Sequence, residues 1–426
     1  MARAERRVAV IGGGVSGLTA AYVLRDAAEV TLYEADPRLG GHADTHDVVA
    51  GGGQVLGVDT GFIVHNARTY PTLMRLFDEL GVATQDSDMS MSVVCEGCGL
   101  QYAGARGPGG LFPTLRNAAN ARYLWMLAEV VRFHRRARAA LRAEAGSAEA
   151  DAALHEFLRH GRFSTYFVRH FMTPLVSCVW SCAPCTALDY PARYLFAFLD
   201  HHGMLAVTGS PTWRTVVGGS RTYVDTLAKH LPAVRTSAPV RTLERLADGG
   251  LEIRADDDRV ERYDQAVVAV HPGQALALLA APTSTEADVL GAFAYSANPT
   301  VLHTDTRLLP TLPRARASWN YRLAGCDADA GSVLVSYDMN RLQNLAAPDT
   351  YVVTLNPGDH VGESAVLARM NYEHPIYTPS SVAAQRRLGK LNDGVLAYAG
   401  AYHGWGFHED GARSGVTAAA SLGVNW

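Results

Sequence analysis

The sequence predicts an α/β fold: a parallel sheet flanked by helices, interleaved along the chain with a second, α+β part. Three features predict it. Residues 7–34 read as strand, glycine turn, helix and second strand. Residues 394–422 repeat strand, glycines and helix at the other end. Between them lie two excursions of different texture, one helical and aromatic, the other made of short strands and turns.

Val8 to Ile11 is a short apolar, β-branched run, the pattern of a strand buried on both faces. Gly12, Gly14 and Gly17 follow with G-x-G-x-x-G spacing, enclosing Val15 and Ser16. Gly12 allows the tight turn, Gly14 lets a pyrophosphate approach the backbone, and Gly17 lets the helix pack close to the strand. Leu18 to Arg25 has helical composition, and the helix's first free N–H groups and positive dipole end face the phosphates. A second strand, Val30 to Tyr33, ends at Glu34, 22 residues after Gly12, where ribose hydroxyls donate to its carboxylate. This order of elements points to a dinucleotide site; a βαβ unit with no ligand is the alternative. An acid at that strand end favours an unphosphorylated adenosine ribose, hence FAD or NAD rather than NADP.

At 426 residues the chain is long enough for two or three cores. A hydrophobic share of 48% and a charged share of 19% describe an ordinary soluble globular protein, and a net charge of −4 gives no reason to expect nucleic acid. Arg3, Arg6 and Arg7 before an apolar stretch imitate a secretory signal. Gly12-Gly13-Gly14 break that stretch and no convincing cleavage site follows, so it is read as the nucleotide strand. With no apolar run of spanning length, a cytoplasmic location is expected. Of six cysteines, Cys95 and Cys98 form one C-x-x-C pair and Cys182 and Cys185 another, beside Cys178 and Cys326. The pairs stand more than eighty residues apart, far beyond zinc-ribbon spacing, so free thiols and no metal are expected. A dithiol relay to a redox cofactor is the alternative.

After Glu34 come Ala35, Asp36, Pro37, Arg38, Leu39, Gly40, Gly41 and His42, where an arginine can meet a pyrophosphate while paired glycines leave room for the cofactor's chain. Val55 to Phe62, containing Asp59-Thr60-Gly61, reads as a strand running into a glycine turn. With Gly12, Gly14, Gly17, Glu34, Arg38, Gly40, Gly41 and Asp59-Thr60-Gly61, the chain resembles the flavin-containing amine oxidases and phytoene-desaturase-type enzymes. The segments 61–66, 298–305, 317–321, 339–343 and 406–411 look like a bacterial subgroup of FAD-dependent oxidoreductases associated with fatty-acid-modifying enzymes such as cyclopropane synthases. The resemblance implies a Rossmann-like FAD-binding domain of the GR2 type, formed by residues 1–100, 205–274 and 391–426. The substrate domain would be residues 101–204 and 275–390. It implies cofactor contacts from Gly12, Gly14, Val15, Ser16, Gly17, Glu34, Ala35, Arg38, Gly40, Gly41, His42, Thr60, Gly61 and Phe62.

Residues 69–82 predict a helix with Pro71 in its first turn and Gly81 closing it. Gly104 to Gly110 is read as loop. Residues 118–145 form a long helical pattern carrying six arginines. Such a face is commonly just solvated, but it can also lie on anionic lipid or meet an acidic carrier protein. Residues 157–198 hold ten of the 36 aromatics, a helical insertion that buries its own surface or lines an apolar tunnel. Val216 to Ser220 is a glycine turn opening a helix, and 238–253 and 259–270 alternate like strands. The resemblance places the Val240 backbone against the adenine edge. In 275–390, strands and turns suit a sheet flooring the substrate cavity, with Trp319, Asn320, Tyr321, Met339, Asn340 and Gln343 as lining candidates; packing and turn capping are the alternative.

The chain closes with a strand, Gly394 to Gly400, then residues 401–413 and a helix over Ser414 to Leu422. The resemblance puts Gly400 against the ribityl–phosphate arm and Gly411, Ser414 and Gly415 near the isoalloxazine, with Trp405 toward substrate. The helix N-terminus would then face the N1–C2=O edge of the ring.

The chemistry implied is hydride transfer between a substrate carbon and flavin N5. Many amine oxidases of this fold use a lysine near N5. The only lysines here, Lys229 and Lys390, are not placed for that. Acid–base candidates are His403, His408 and Glu409, each of which can equally be structural. Three readings stay open: an oxidoreductase of an apolar, acyl-like or secondary-metabolite substrate; an amine oxidase releasing hydrogen peroxide; and a non-catalytic flavin-binding partner. Oligomeric state is not legible.

Overall fold

A computed structural model describes residues 6–143, 152–206, 209–327 and 333–426. Arg3 and the last two residues of the expected basic helix, 144 and 145, lie outside the described residues. β1 (Arg7–Ile11) is the centre of a five-stranded, wholly parallel sheet. β2 (Glu29–Tyr33) and then Ala233–Arg235 lie on one side of it, Gln265–Val268 and then Leu396–Tyr398 on the other. The order of strands therefore reverses at β1, and the crevice at such a reversal is where open parallel sheets bind ligands.

α1 (Val15–Leu24) is buried along its whole length. A helix apolar all round must be covered on every side. The sheet covers one face and the last helix, His408–Ser421, another. That last helix starts six residues before the expected Ser414. The Asp410 carboxylate accepts the Trp405 and Phe407 N–H groups, at 2.9 and 3.1 Å, and so caps a turn that the sequence reads as loop.

The second part is a seven-stranded sheet. Its order is Val366–Ile376, Ala294–His303, Val352–Leu355, Val335–Asp338, Trp319–Leu323, Met91–Cys95 and Gln101–Gly104. All its pairs are antiparallel except Trp319–Leu323 with Met91–Cys95. The domain boundary expected at residue 100 thus falls too late: Met91–Cys95 pairs with a strand from the second excursion and buries Val93 and Cys95 in that part's core. Gly107–Leu111 is one short helix, with Pro108 in its first turn, rather than loop throughout.

Over this sheet lies the helical insertion. The long helix is Ala121–Arg142, with Tyr123, Met126, Glu129, Phe133, Ala137 and Ala140 buried at three- and four-residue spacing. Arg193 donates to the carbonyls of Ala140, Leu141 and Ala143 at its end. Most of the clustered aromatics pack on one another; Phe133 meets Phe157, Phe163, Phe167 and Phe196 with centroids 5.5–6.3 Å apart. Among the described residues no helix is long and apolar enough to cross a membrane.

Candidate active site

The phosphate end is built from glycines whose replacement the backbone forbids. Gly12 has φ +105°, and a Cβ there would lie 2.5 Å from the Ala269 carbonyl. A Cβ on Gly17 would lie 1.9 Å from the Gly12 carbonyl. Gly14 is different: a Cβ there meets nothing within 4 Å. Protein packing gives no reason for its missing side chain, whereas an approaching pyrophosphate does. No side chain caps α1 and no acid sits in its first turn, so a buried helix start offers its N–H groups to the crevice. Gly40 donates its N–H to the Gly13 carbonyl at 2.8 Å, laying Gly40 and Gly41 beside Gly13 and Gly14. These residues fit the pyrophosphate of FAD.

Glu34 stands at the end of β2. One carboxylate oxygen accepts the Gly13 N–H at 2.6 Å, the other the Asp36 N–H at 2.8 Å. Ala238 N–H donates to the Glu34 carbonyl and Ser237 N–H to that of Asp36, which brings Val240 alongside this end. Ala35 is exposed. The Arg38 guanidinium, expected at the pyrophosphate, instead reaches Asp44 at 3.1 Å and the Gly41 carbonyl at 2.9 Å. It ties its own loop, and through Asp44 and Tyr372, whose hydroxyl also meets Thr60 at 2.6 Å, it joins that loop to the large sheet. His42 packs against Tyr372 and His374.

At the other end Gly411 and Gly415 lie inside the last helix. A Cβ on Gly411 would be 2.6 Å from Val15 Cγ1, and one on Gly415 2.3 Å from the Ser16 carbonyl. These glycines serve the crossing of α1 and the last helix. Ser414 Oγ accepts the Gly400 N–H at 2.9 Å and donates to the Gly411 carbonyl at 2.7 Å, locking the strand end to the helix. A Cβ on Gly61 would strike the His42 carbonyl at 2.3 Å.

The three acid–base candidates have different surroundings. His408 stacks on Phe62, centroids 3.7 Å apart, and its Nε2 pairs with the Tyr223 hydroxyl at 2.8 Å. Burial holds its ring neutral. Glu409 accepts the N–H groups of Thr72 and Leu73, at 3.0 and 2.9 Å, and so caps the helix Pro71–Leu80, which Tyr70 leaves uncapped. Both side chains are engaged in packing. His403 alone of the three has a buried ring nitrogen, Nε2, without a partner, and burial pushes its pKa down to about 4.

Of the substrate candidates, Trp319 lies edge-on to Tyr337 at 5.4 Å with its Nε1 unpartnered, and Tyr321 is wholly buried on the same strand. Asn340 does not line the cavity: it donates to the Asp349 carbonyl and accepts the Tyr351 N–H, closing a turn. Asn320 is likewise spent on the Ala317 and Ser336 carbonyls, and Met339 is core. Gln343 accepts the Asp59 N–H at 2.8 Å. Trp405 is ringed by Tyr194, Phe198, His201 and His202, and its carbonyl accepts the Trp180 Nε1–H at 3.0 Å.

Sequence reasoning missed two clusters. Buried Asp59 accepts from Thr45, Ser220 and Gln343, with burial pushing its carboxyl up to about 6. The Gly404 carbonyl collects Tyr194, Tyr377 and Gln385 as donors, at 2.7, 3.0 and 2.6 Å. Asp59 was visible in a motif. Nothing in the sequence marks Gln385 or Tyr377.

Residues 15–351 match the flavin containing amine oxidoreductase family. The chain belongs to that family. It is an FAD-dependent oxidoreductase. A curated relative, the carotenoid phi-ring synthase of Streptomyces griseus, is 28% identical over 286 residues, covering 64% of this chain and 54% of the relative. The chain spans about half the length of that relative. Among solved structures, cyclohexylamine oxidase from Brevibacterium oxydans IH-35A aligns with a TM-score of 0.70 at 17% identity over 98% of each chain. The CLA-producing fatty acid isomerase from P. acnes aligns at 0.68 and 15% identity, over 97% of this chain and 98% of that one. At these identities the likeness is one of fold.

Proposed function

We propose that this enzyme transfers a hydride between flavin N5 and a carbon of an apolar substrate, acyl- or lipid-like or a secondary metabolite, in a dehydrogenation, desaturation or isomerisation. The observation that carries the reading is the wall around the loop 404–407. Tyr194 and Phe198 pack there against Trp405 and Phe407, with Tyr377 and Trp180 packed behind them. The charged group there, Asp410, is already paired with Arg413. Such a wall binds hydrocarbon and excludes water. Both lysines are exposed on the surface. The names of the fatty acid isomerase and the carotenoid ring synthase point the same way, as does the resemblance to the subgroup associated with cyclopropane synthases.

Bound FAD supplies a two-electron acceptor. The chain's own residues would hold its pyrophosphate at the glycine turn and the start of α1, keep the substrate dry against the aromatic wall, and present neutral His403 as a proton acceptor or hydrogen-bonding group. The second reading, an amine oxidase releasing hydrogen peroxide, is favoured by the likeness to cyclohexylamine oxidase. One experiment separates them: anaerobic titration of the yellow protein with unsaturated fatty acids and polyenes on one side, and with cyclohexylamine and putrescine on the other. Bleaching by the apolar set, or isomerised product without net bleaching, supports the first. Bleaching by amines with peroxide formed on re-aeration supports the second and overturns the first.

Delivery of such a substrate fits the long helix. Leu124 and Trp125 are exposed on it beside exposed Arg122, and Leu115 is 90% exposed just before it. This face is proposed to rest on anionic lipid. Co-sedimentation with phosphatidylglycerol vesicles but not phosphatidylcholine vesicles is expected, and Trp125→Ser should weaken it. Sedimentation with neither overturns the lipid contact.

A further inference from the structure

We propose that Cys95, Cys98, His170 and Cys326 form a structural zinc site that clips the helical insertion to the edge of the seven-stranded sheet. The ligand atoms of these four side chains all lie within 4.8 Å of one another. The Cys95 and Cys326 sulfurs are 3.7 Å apart, and the Cys98 sulfur is 3.7 Å from His170 Nε2. Zinc–sulfur bonds of about 2.3 Å and zinc–nitrogen bonds of about 2.0–2.1 Å at tetrahedral angles give edges of about 3.6–3.8 Å. The Cys95–Cys326 and Cys98–His170 edges match these lengths. The second C-x-x-C pair does not converge in this way: Cys182 is buried and Cys185 exposed.

The surroundings are those of a built site. Residues 95–100 form a tight turn in which the Gly99 N–H returns to the Cys95 carbonyl at 2.9 Å with Gly99 at φ +71°. Gly97 is required for the approach of Cys326: a Cβ there would meet the Cys326 N at 2.9 Å, so its absence lets the loop after Trp319–Leu323 bring Cys326 in. His170 is buried within one π-helical turn, Val168–Met172, a local distortion frequent at functional positions. Its Nδ1 faces the Tyr166 carbonyl at 3.1 Å, which places the proton there and leaves the Nε2 lone pair toward the three sulfurs.

Four protein ligands close the coordination sphere, so the metal holds structure and performs no chemistry. Binding is not a redox step: three thiols release three protons to solvent as three zinc–sulfur bonds form, and neutral imidazole adds the fourth bond. The resulting single negative charge lies near Arg169, which donates to the Cys326 carbonyl at 3.2 Å, and Arg122. Linear spacing hid the site because two ligands come from one turn and the others from residues 72 and 228 positions later than Cys98.

The test is elemental analysis of the full-length flavoprotein purified without affinity metal. About one zinc per chain is expected, and Cys98→Ser or His170→Ala should lower it at least about tenfold while Cys185→Ser does not. Native-state alkylation should spare Cys95, Cys98 and Cys326 until a chelator is added, a readout that needs no variant to fold. Cobalt exchanged into the site should show the strong visible bands of tetrahedral thiolate coordination. A protein without zinc whose three thiols alkylate freely overturns the proposal. So do a disulfide among them and iron with acid-labile sulfide in place of zinc.

Discussion

The Glu34 carboxylate accepts the Gly13 backbone N–H at 2.6 Å. A strand-end acid is thereby held across the glycine turn that fits a pyrophosphate. Turn and acid are one unit, so ribose recognition and pyrophosphate recognition cannot be altered separately. Glu34→Arg removes the acceptor and places a cation where hydroxyls should donate. The expected result is protein purified colourless. Glu34→Gln keeps one carbonyl acceptor, and its flavin affinity should fall about 10–100-fold, the cost of losing a hydrogen bond to a charged group. Flavin-to-protein absorbance after gel filtration, and titration of apoprotein with FAD, check both. Full occupancy in Glu34→Arg would remove Glu34 from the site.

Gly415→Ala tests the crossing of the two helices. Its Cβ would press on the Ser16 carbonyl of α1 at 2.3 Å, backbone against backbone, with no flexible side chain to yield. Overpacking of this kind costs about 1–3 kcal/mol, and it displaces the helix start that faces the phosphates. Thermal unfolding should show a lower midpoint, and flavin should leave more readily. Gly273→Ala is the control, since a Cβ there meets nothing and the residue lies in the helix Pro272–Leu278. Equal midpoints for the two variants would show that the crossing tolerates separation.

What was legible in the sequence follows from how local each signal is. The strand, turn and helix at residues 7–24 are contiguous, and each glycine's task is decided by neighbours within a few positions or by one adjacent strand. Gly81 closing the helix Pro71–Leu80, with its φ of +65°, was readable for the same reason. Asn340 looked like a cavity residue because nothing local shows that Tyr351, eleven positions on, takes its side-chain oxygen. Glu409 looked like an acid because the helix it caps lies 336 residues earlier in the chain. The early start of the last helix was hidden by Gly404, Gly406 and Gly411, which read as loop until Asp410 is seen capping them.

His403, His408 and Glu409 should separate by experiment. Loss of a positioned acid–base group typically costs about 10²–10⁴-fold. His403→Asn is expected to slow anaerobic flavin reduction by about a hundredfold with flavin content unchanged. Glu409→Gln instead removes one acceptor from the Thr72 and Leu73 N–H pair, so unfolding should become easier by about 1–3 kcal/mol with the reduction rate kept. His408→Asn abandons both the Phe62 stack and the Tyr223 hydrogen bond and should behave like Glu409→Gln. A His403 variant reduced at the parent rate would leave catalysis to substrate positioning alone.

Acid should destabilise this protein above the ordinary carboxylate range. Burial holds His65, His134, His202 and His303 down at about 4, against an ordinary value of 6.5. Each native imidazole therefore stays neutral between pH 6.5 and 4, while the unfolded chain takes up a proton. Stability must fall as pH falls through that window. Asp59 and Asp410 work the other way: burial raises both to about 6, so the native state binds their protons first and gains stability on acidification. Burial holds His42, His374, His403 and His408 down as well, so the imidazoles outnumber the two carboxyls and unfolding takes up protons on balance near pH 5. Urea unfolding at pH 7, 6 and 5 should show midpoints falling in that order. His65→Leu, which replaces a ring with both nitrogens unpartnered, should flatten the slope by about one proton. A midpoint at pH 5 equal to or above that at pH 7 would mean that the buried carboxyls, not the histidines, dominate the titration.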